Sequence, residues 1–257
     1  MTEAANIAVR RAWPAERAFY LGMTAAMAAA LLLGFSRSFF LRPLFPEFAA
    51  AHAPAERYFY LVHAPIFTLW FVLLMVQPGL VAAGRVRLHR RLGWFGAVVA
   101  ALVVVAGLLA GLIAARRPAG FIDVPVPPLQ FLLHVVALLA LFGGFVAMAV
   151  VTRRDPQSHK RWMLLASINL VEAAVVRWPF DAMAAELPAP GYMGKDLVLF
   201  LFLAAMIAWD LRSRRSIHRA TLAGGMAIVL APAVVALLWE TRGWLAVAGW
   251  AVGLLGK

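Results

Sequence analysis

Cysteine is absent from this 257-residue chain, so no disulfide, thiolate metal centre, iron–sulfur cluster or cysteine nucleophile can be built from it. Charge is scarce too. Charged residues make up 14% of the chain, against about a quarter in soluble domains. Acidic residues are the scarcer sign, with 12 against 24 basic ones. No polar stretch is long enough for a separate soluble domain. The sequence also lacks a P-loop, a G-x-S-x-G elbow and an H-E-x-x-H helix. The run 221–240 has no lysine of the kind a retinal protein carries in its last helix.

What fills the chain is apolar: 64% of residues are hydrophobic and the mean hydropathy is +0.84. Several runs reach the roughly 20 residues that cross a hydrocarbon core of about 30 Å. The expectation is an all-α, polytopic membrane bundle forming a single domain over 1–257. Seven transmembrane helices are expected at about 18–35, 58–82, 93–115, 129–151, 162–178, 196–211 and 221–240. A short eighth is expected at 243–256, whose 14 residues would span only about 21 Å. The first run, Phe19 to Phe35, exceeds the 7–15 residues of a signal-peptide core and reads as an uncleaved helix.

Basic residues fall unevenly between these runs. Fifteen lie at the N-terminus and in the second–third, fourth–fifth and sixth–seventh loops; eight lie on the other side. That bias places the N-terminus in the cytoplasm of a bacterial inner membrane. It also accounts for the net charge of +12 without nucleic acid, leaving the lipid bilayer as the partner. A homo-oligomer or larger membrane complex is a further expectation. The opposite loops, 36–57, 116–128 and 179–194, are rich in proline and read as ordered caps.

The six histidines are not scattered at random. "RLHRRLGW" at 87–94 has a near echo in "SHKRW" at 158–162. His63 precedes His89 by 26 residues, and His134 precedes His159 by 25. The segments 58–115 and 129–178 therefore read as two similar hairpins that build a central four-helix bundle at 58–178. Sites in membrane folds often form where such copies meet. Counting along the helices puts His63, His134 and Glu172 at one level near the outer face, with His89 and His159 at another at the inner boundary.

Ionisable groups inside membrane helices are costly and point to function. Two chemistries compete for the outer level. In one, His63 and His134 are axial ligands of a b-type haem, with Glu172 tuning the site or carrying a proton. The small-residue stretches "GLLAGLIAA" and "GGF" would leave room for a flat macrocycle, unless they serve close helix packing. In the other, His63, His134 and Glu172 form a two-histidine, one-carboxylate centre for non-haem iron or zinc. Asp123, Asp181, Glu186 and Asp196 could add oxygen ligands. A plain structural alternative pairs Glu172 with Asn169 or Arg177. At the inner level, His89 and His159 could hold a second haem, with Arg90 and Arg161 near its propionates. The basic turns could equally serve lipid headgroups alone.

This arrangement over residues 58–178 resembles the di-haem b-type transmembrane cytochromes, including the ascorbate-dependent ferrireductases. It also resembles bacterial multi-span membrane families of unknown function with an "H…HR.LG" signature. The cytochrome resemblance implies a helical bundle with histidines on four consecutive core helices, the first pairing with the third and the second with the fourth. Here those pairs are His63 with His134 and His89 with His159. It implies haem b as cofactor, electron transfer or oxidoreductase activity, and a redox donor or quinone as partner. The remaining expectations are a non-haem metal-dependent membrane enzyme and a site-free accessory subunit.

Overall fold

The computed structural model of the chain describes residues 3–51, 56–117, 120–121, 126–178 and 190–255. All regular structure among the described residues is helical. The main helices are α1 (Glu3–Gly34), a short α2 (Pro46–Ala51), α3 (Ala64–Ala82), α4 (Val86–Ala115), α5 (Pro128–Val151), α6 (Pro156–Val175), α7 (Pro190–Arg214), α8 (Arg219–Leu238) and α9 (Arg242–Gly253). One π-helical turn, Phe59–His63, leads into α3.

Local chemistry sets the boundaries. Gly84, with φ +75°, ends α3 in the left-handed conformation that glycine adopts without penalty, and α4 begins two residues later. Asp155 caps α6 by accepting from the Gln157 N–H at 3.0 Å, with Pro156 at the first helical position. His218 caps α8 through Nδ1, which accepts from the Ala220 N–H at 3.1 Å. Thr241 caps α9.

Five segments are long and apolar enough to cross a membrane: Ala15–Gly34, Leu61–Ala82, Val86–Ala115, Pro128–Val151 and Arg219–Leu238. Their outward faces carry Leu33, Val98, Val105 and Leu237, all exposed, as lipid-facing residues are. The chain is thus an integral membrane protein by the length and character of its helices. The sequence reading of seven crossings includes α6 and α7, which do not meet the same apolar measure. The reason is their charge: α6 carries Lys160, Arg161 and Glu172, and α7 carries Lys195, Asp196 and Asp210. The short eighth run is the 12-residue α9, which docks on α5 through Trp244 Nε1 donating to the Leu129 carbonyl at 2.7 Å.

Helix α6 is the axis of the fold. It packs against α1, α5, α7 and α8, and every residue from Leu164 to Val171 is buried. Close approach depends on glycine at two places. A Cβ on Gly34 would lie 2.1 Å from the Ala174 carbonyl oxygen, and one on Gly224 would lie 2.5 Å from Leu165. Around this axis α3, α4 and α5 complete the bundle, with Trp70 edge-on to Phe142 at 4.9 Å in its middle.

Candidate functional site

Two polar levels lie along the bundle. The end bearing Arg85–Arg91 and Arg153–Arg161 is called here the basic end, and the opposite one the far end. At the basic end the sequence "RLHRRLGW" is helical from its first residue, not a loop ahead of a helix at 93, because nothing after Gly84 interrupts the helix. The "HKR" of α6 is helical as well. His89 and His159 therefore both occupy first turns, of α4 and α6.

These two histidines meet. Their ring centroids are 6.3 Å apart, with planes at 86°. Each is anchored on the preceding helix of its own hairpin. His159 Nδ1 donates to the Ala149 carbonyl of α5 at 2.8 Å, which leaves Nε2 as the ring's free lone pair. His89 Nδ1 meets the side-chain amide of Gln77 on α3. With its nitrogen toward the ring, that amide donates to Nδ1 while its oxygen accepts from the Gly93 N–H at 3.1 Å. Each hairpin thus holds its histidine by Nδ1, but with opposite sense: the His159 ring donates there and the His89 ring accepts.

The flank of α4 beyond His89 is open. A Cβ on Gly93 would meet only Gln77, at 4.0 Å, and one on Gly96 would meet nothing within 4 Å. Both glycines follow His89 on its own side of α4, at the i+4 and i+7 positions. A shallow basin of about 540 Å³ at the start of α4 is lined by Gly84, Arg85, Arg87 and Arg90, and neither histidine lines it. Arg90 thus stays beside His89. Arg161 does not face the pair: it is 1% exposed and bound to Asp210 of α7, itself 1% exposed. Its Nε donates to Asp210 Oδ1 at 2.9 Å, and its Nη1 donates to the Gln157 carbonyl and side chain. Asp210 Oδ2 accepts from Thr221 Oγ1 at 2.6 Å and from the His218 N–H at 3.0 Å. A carboxylate so fully hydrogen-bonded holds the guanidinium in a helix-joining ion pair and away from the histidines.

The far end assembles differently from the sequence expectation. His134 Nε2 lies 3.1 Å from Glu172 Oε1, joining α5 to α6. The second partner of Glu172 is Lys195 of α7, with Nζ 2.8 Å from the same oxygen and 2.9 Å from Asp196. Neither Asn169 nor Arg177 takes that place: Asn169 donates to the Leu138 carbonyl, and Arg177 to that of Ala173. His63 faces elsewhere, stacking on Phe67 at 4.1 Å beside the Ala106 carbonyl of α4, and its buried Nδ1 has no hydrogen-bond partner. Among the described residues no three His, Asp, Glu or Cys side chains converge to hold a metal, so the His63–His134–Glu172 centre is not assembled. Of the loop carboxylates, Asp123, Asp181 and Glu186 lie outside the described residues.

The "GLLAGLIAA" stretch gives close packing rather than clearance. A Cβ on Gly107 would press on Leu139 at 2.8 Å, and one on Gly111 on Val135 at 3.0 Å, so α4 and α5 are in direct contact there. The sequence reading missed Gln77, Lys195 and Asp210. Each is a polar residue inside or at the edge of an apolar run, and that placement was the available signal. No family model, no curated protein and no solved structure matches the chain.

Proposed function

We propose that this chain is an integral-membrane redox protein that holds one b-type haem between His89 and His159 at the basic end of the bundle. The observation that carries the reading is the 6.3 Å separation of the two rings. Two metal–nitrogen bonds of about 2 Å, plus the distance from ring nitrogen to ring centre on each side, add to roughly the same length. The pairing is also the one implied by the cytochrome resemblance for the second and fourth helices of the core. The far-end pair is less suited, since His134 is engaged by Glu172 and α4 packs directly on α5 below it.

Bound in this way, haem supplies reversible one-electron chemistry at the membrane surface. The chain's own residues do the rest. The Ala149 carbonyl keeps the His159 proton on Nδ1 and leaves the Nε2 lone pair for a metal. Ligation through His89 Nε2 would require its proton on Nδ1, and the Gln77 amide would then turn its oxygen to the ring and give up the bond it accepts from the Gly93 N–H. Arg85, Arg87 and Arg90 share the first turn of α4 with His89 and would suit propionate carboxylates that reach them. Gly93 and Gly96 leave the flank of α4 thin. The Arg161–Asp210 pair ties α6 to α7 and so fixes the turn that carries His159. In this reading α6 and α7 also cross the bilayer, with the basic end and the N-terminus in the cytoplasm of a bacterial inner membrane.

The test is the absorption spectrum of detergent-purified full-length chain produced with ample haem. The reading expects one haem per chain and a sharp Soret band that shifts on reduction with dithionite. A colourless protein that takes up no haem on titration overturns it.

A further inference from the structure

The far-end cluster is not used by the haem reading, yet it closes one end of a crevice. About 190 Å³ of space lies between α5, α6, α7 and α8, bordered by His134, Asn169, Glu172 and Asp196 and elsewhere by apolar side chains. Phe200 and Val229 line this space and are each 49% exposed, so its mouth opens sideways between α7 and α8, on the lipid-facing side of the bundle. Along α5, His134 lies about 9 Å from the first residue of the helix, and Leu141, which also lines the space, about 20 Å. The crevice thus has a polar end near the far end of the bundle and an apolar stretch nearer its middle. A single-chain amphiphile in one leaflet has the same order of head and tail.

The polar end has acceptors in excess. Glu172 receives both His134 and Lys195 on Oε1, and its Oε2 accepts nothing. Asn169, 4% exposed, donates through Nδ2 to the Leu138 carbonyl, and its Oδ1 has no partner among the described residues. Neither oxygen is sealed inside protein, so both open onto the crevice that their residues line. On the facing wall Pro232 has no N–H to give the Ile228 carbonyl, which stands without its regular helical donor. Charge points the same way. Lys195 is shared between Glu172 and Asp196, so with His134 neutral the two carboxylates keep one unmatched negative charge. Such a charge inside a membrane bundle calls for a cationic partner. A primary ammonium supplies one positive charge, three N–H donors and no acceptor.

We propose that this crevice binds a lipophilic primary amine that enters from the lipid, its ammonium at Glu172, Asp196 and Asn169 and its alkyl tail along the apolar wall. An ethanolamine phospholipid carries the same ammonium on an apolar body, but its phosphate would lie beside two carboxylates, so the simple amine is the better fit. Glu172 lies about 20 Å along α6 from His159, so the crevice and the haem site are separate on the chain and neither reading rests on the other.

The test uses full-length protein in phosphatidylcholine nanodiscs, whose quaternary headgroup has no N–H, and tritiated dodecylamine, measured at neutral pH as uptake over empty discs. One saturable site per chain is expected. Asp196→Asn removes the unmatched charge from a side chain that is 45% exposed, and should weaken binding roughly tenfold or more. Val229→Trp, on the exposed rim, should fill the mouth and weaken binding to a similar degree. Both variants should keep the wild-type elution profile. Unlabelled dodecyltrimethylammonium has the same charge and no N–H, and should compete roughly tenfold or more weakly than unlabelled dodecylamine. No saturable uptake above empty discs overturns the proposal, as does undiminished binding in both variants or equal competition by the trimethyl compound. Displacement of the amine when phosphatidylethanolamine replaces part of the phosphatidylcholine overturns it in favour of a phospholipid site. Colourless protein that takes up the amine would sink the haem reading alone; red protein that takes up none would sink this inference alone.

Discussion

His89 of α4 and His159 of α6 stand 6.3 Å apart, ring centre to ring centre, although 70 residues separate them in the chain. Neither ring is placed by chance. Each has one nitrogen held by the helix that precedes it, Gln77 for one and Ala149 for the other. The Ala149 partner is backbone, as is a second contact of His89 with Gln77, so only the Gln77 side-chain amide can be removed by substitution. Gln77→Leu should weaken haem binding about 10- to 100-fold, the usual cost of losing a group that orients a ligand. Haem titration of the purified variant against the wild type reads this directly.

The Arg161–Asp210 pair is buried on both sides, so removing one partner strands the other's charge. Asp210→Ala should cost about 3–5 kcal/mol, read as the shift in the unfolding midpoint of the detergent-solubilised chain. Joint replacement, Arg161→Met with Asp210→Leu, should recover most of that loss. A double variant as unstable as the single one would show that the pair does more than join helices.

Glycine contributions should split by position. Gly34→Ala forces a methyl group against the Ala174 backbone, which cannot retreat as a side-chain tip can, and should cost roughly 1–3 kcal/mol. Gly144→Ala meets nothing within 4 Å and lies within α5, so it should be neutral or stabilise by about 0.5–1 kcal/mol. Thermal unfolding of the two variants side by side checks the contrast.

Asp155 gives a pH signature outside the apolar spans. Hydrogen bonds from the Ser158 hydroxyl and from backbone N–H groups of the first turn of α6 hold its carboxyl below the usual value of 3.8. A carboxyl depressed in the folded state stabilises above its unfolded pKa and loses that contribution as pH falls through the folded value. Asp155→Ala should therefore cost about 1 kcal/mol at neutral pH. The difference between the two proteins should shrink only as the pH drops below 3.8. A gap that is constant down to strongly acid pH would contradict the capping role.

Much of the fold was legible because apolar run length is a direct statement about the bilayer. The expected helix at 129–151 matches α5, Pro128–Val151, to within a residue. Starts of charged helices were not legible in the same way. The sequence reading began α6 at 162, although Asp155 and Pro156 spell a cap, because lysine and arginine at 160 and 161 looked like loop residues. The same habit hid the pairing of Arg161 with Asp210, since a charge satisfied inside a bundle resembles a topology signal when seen alone. At the far end, depth counting brought His134 and Glu172 to one level correctly, and they touch. It could not say that His63 turns toward α4, because level fixes height along a helix but not the direction a side chain faces around it.

The most direct measurement is the Soret absorbance of four single variants expressed and purified alongside the wild type. His89→Ala and His159→Ala should each abolish or broaden the band, while His63→Ala and His134→Ala should retain it at one haem per chain. Bands that persist in the first two variants, or vanish only in the last two, would contradict a haem held at the basic end.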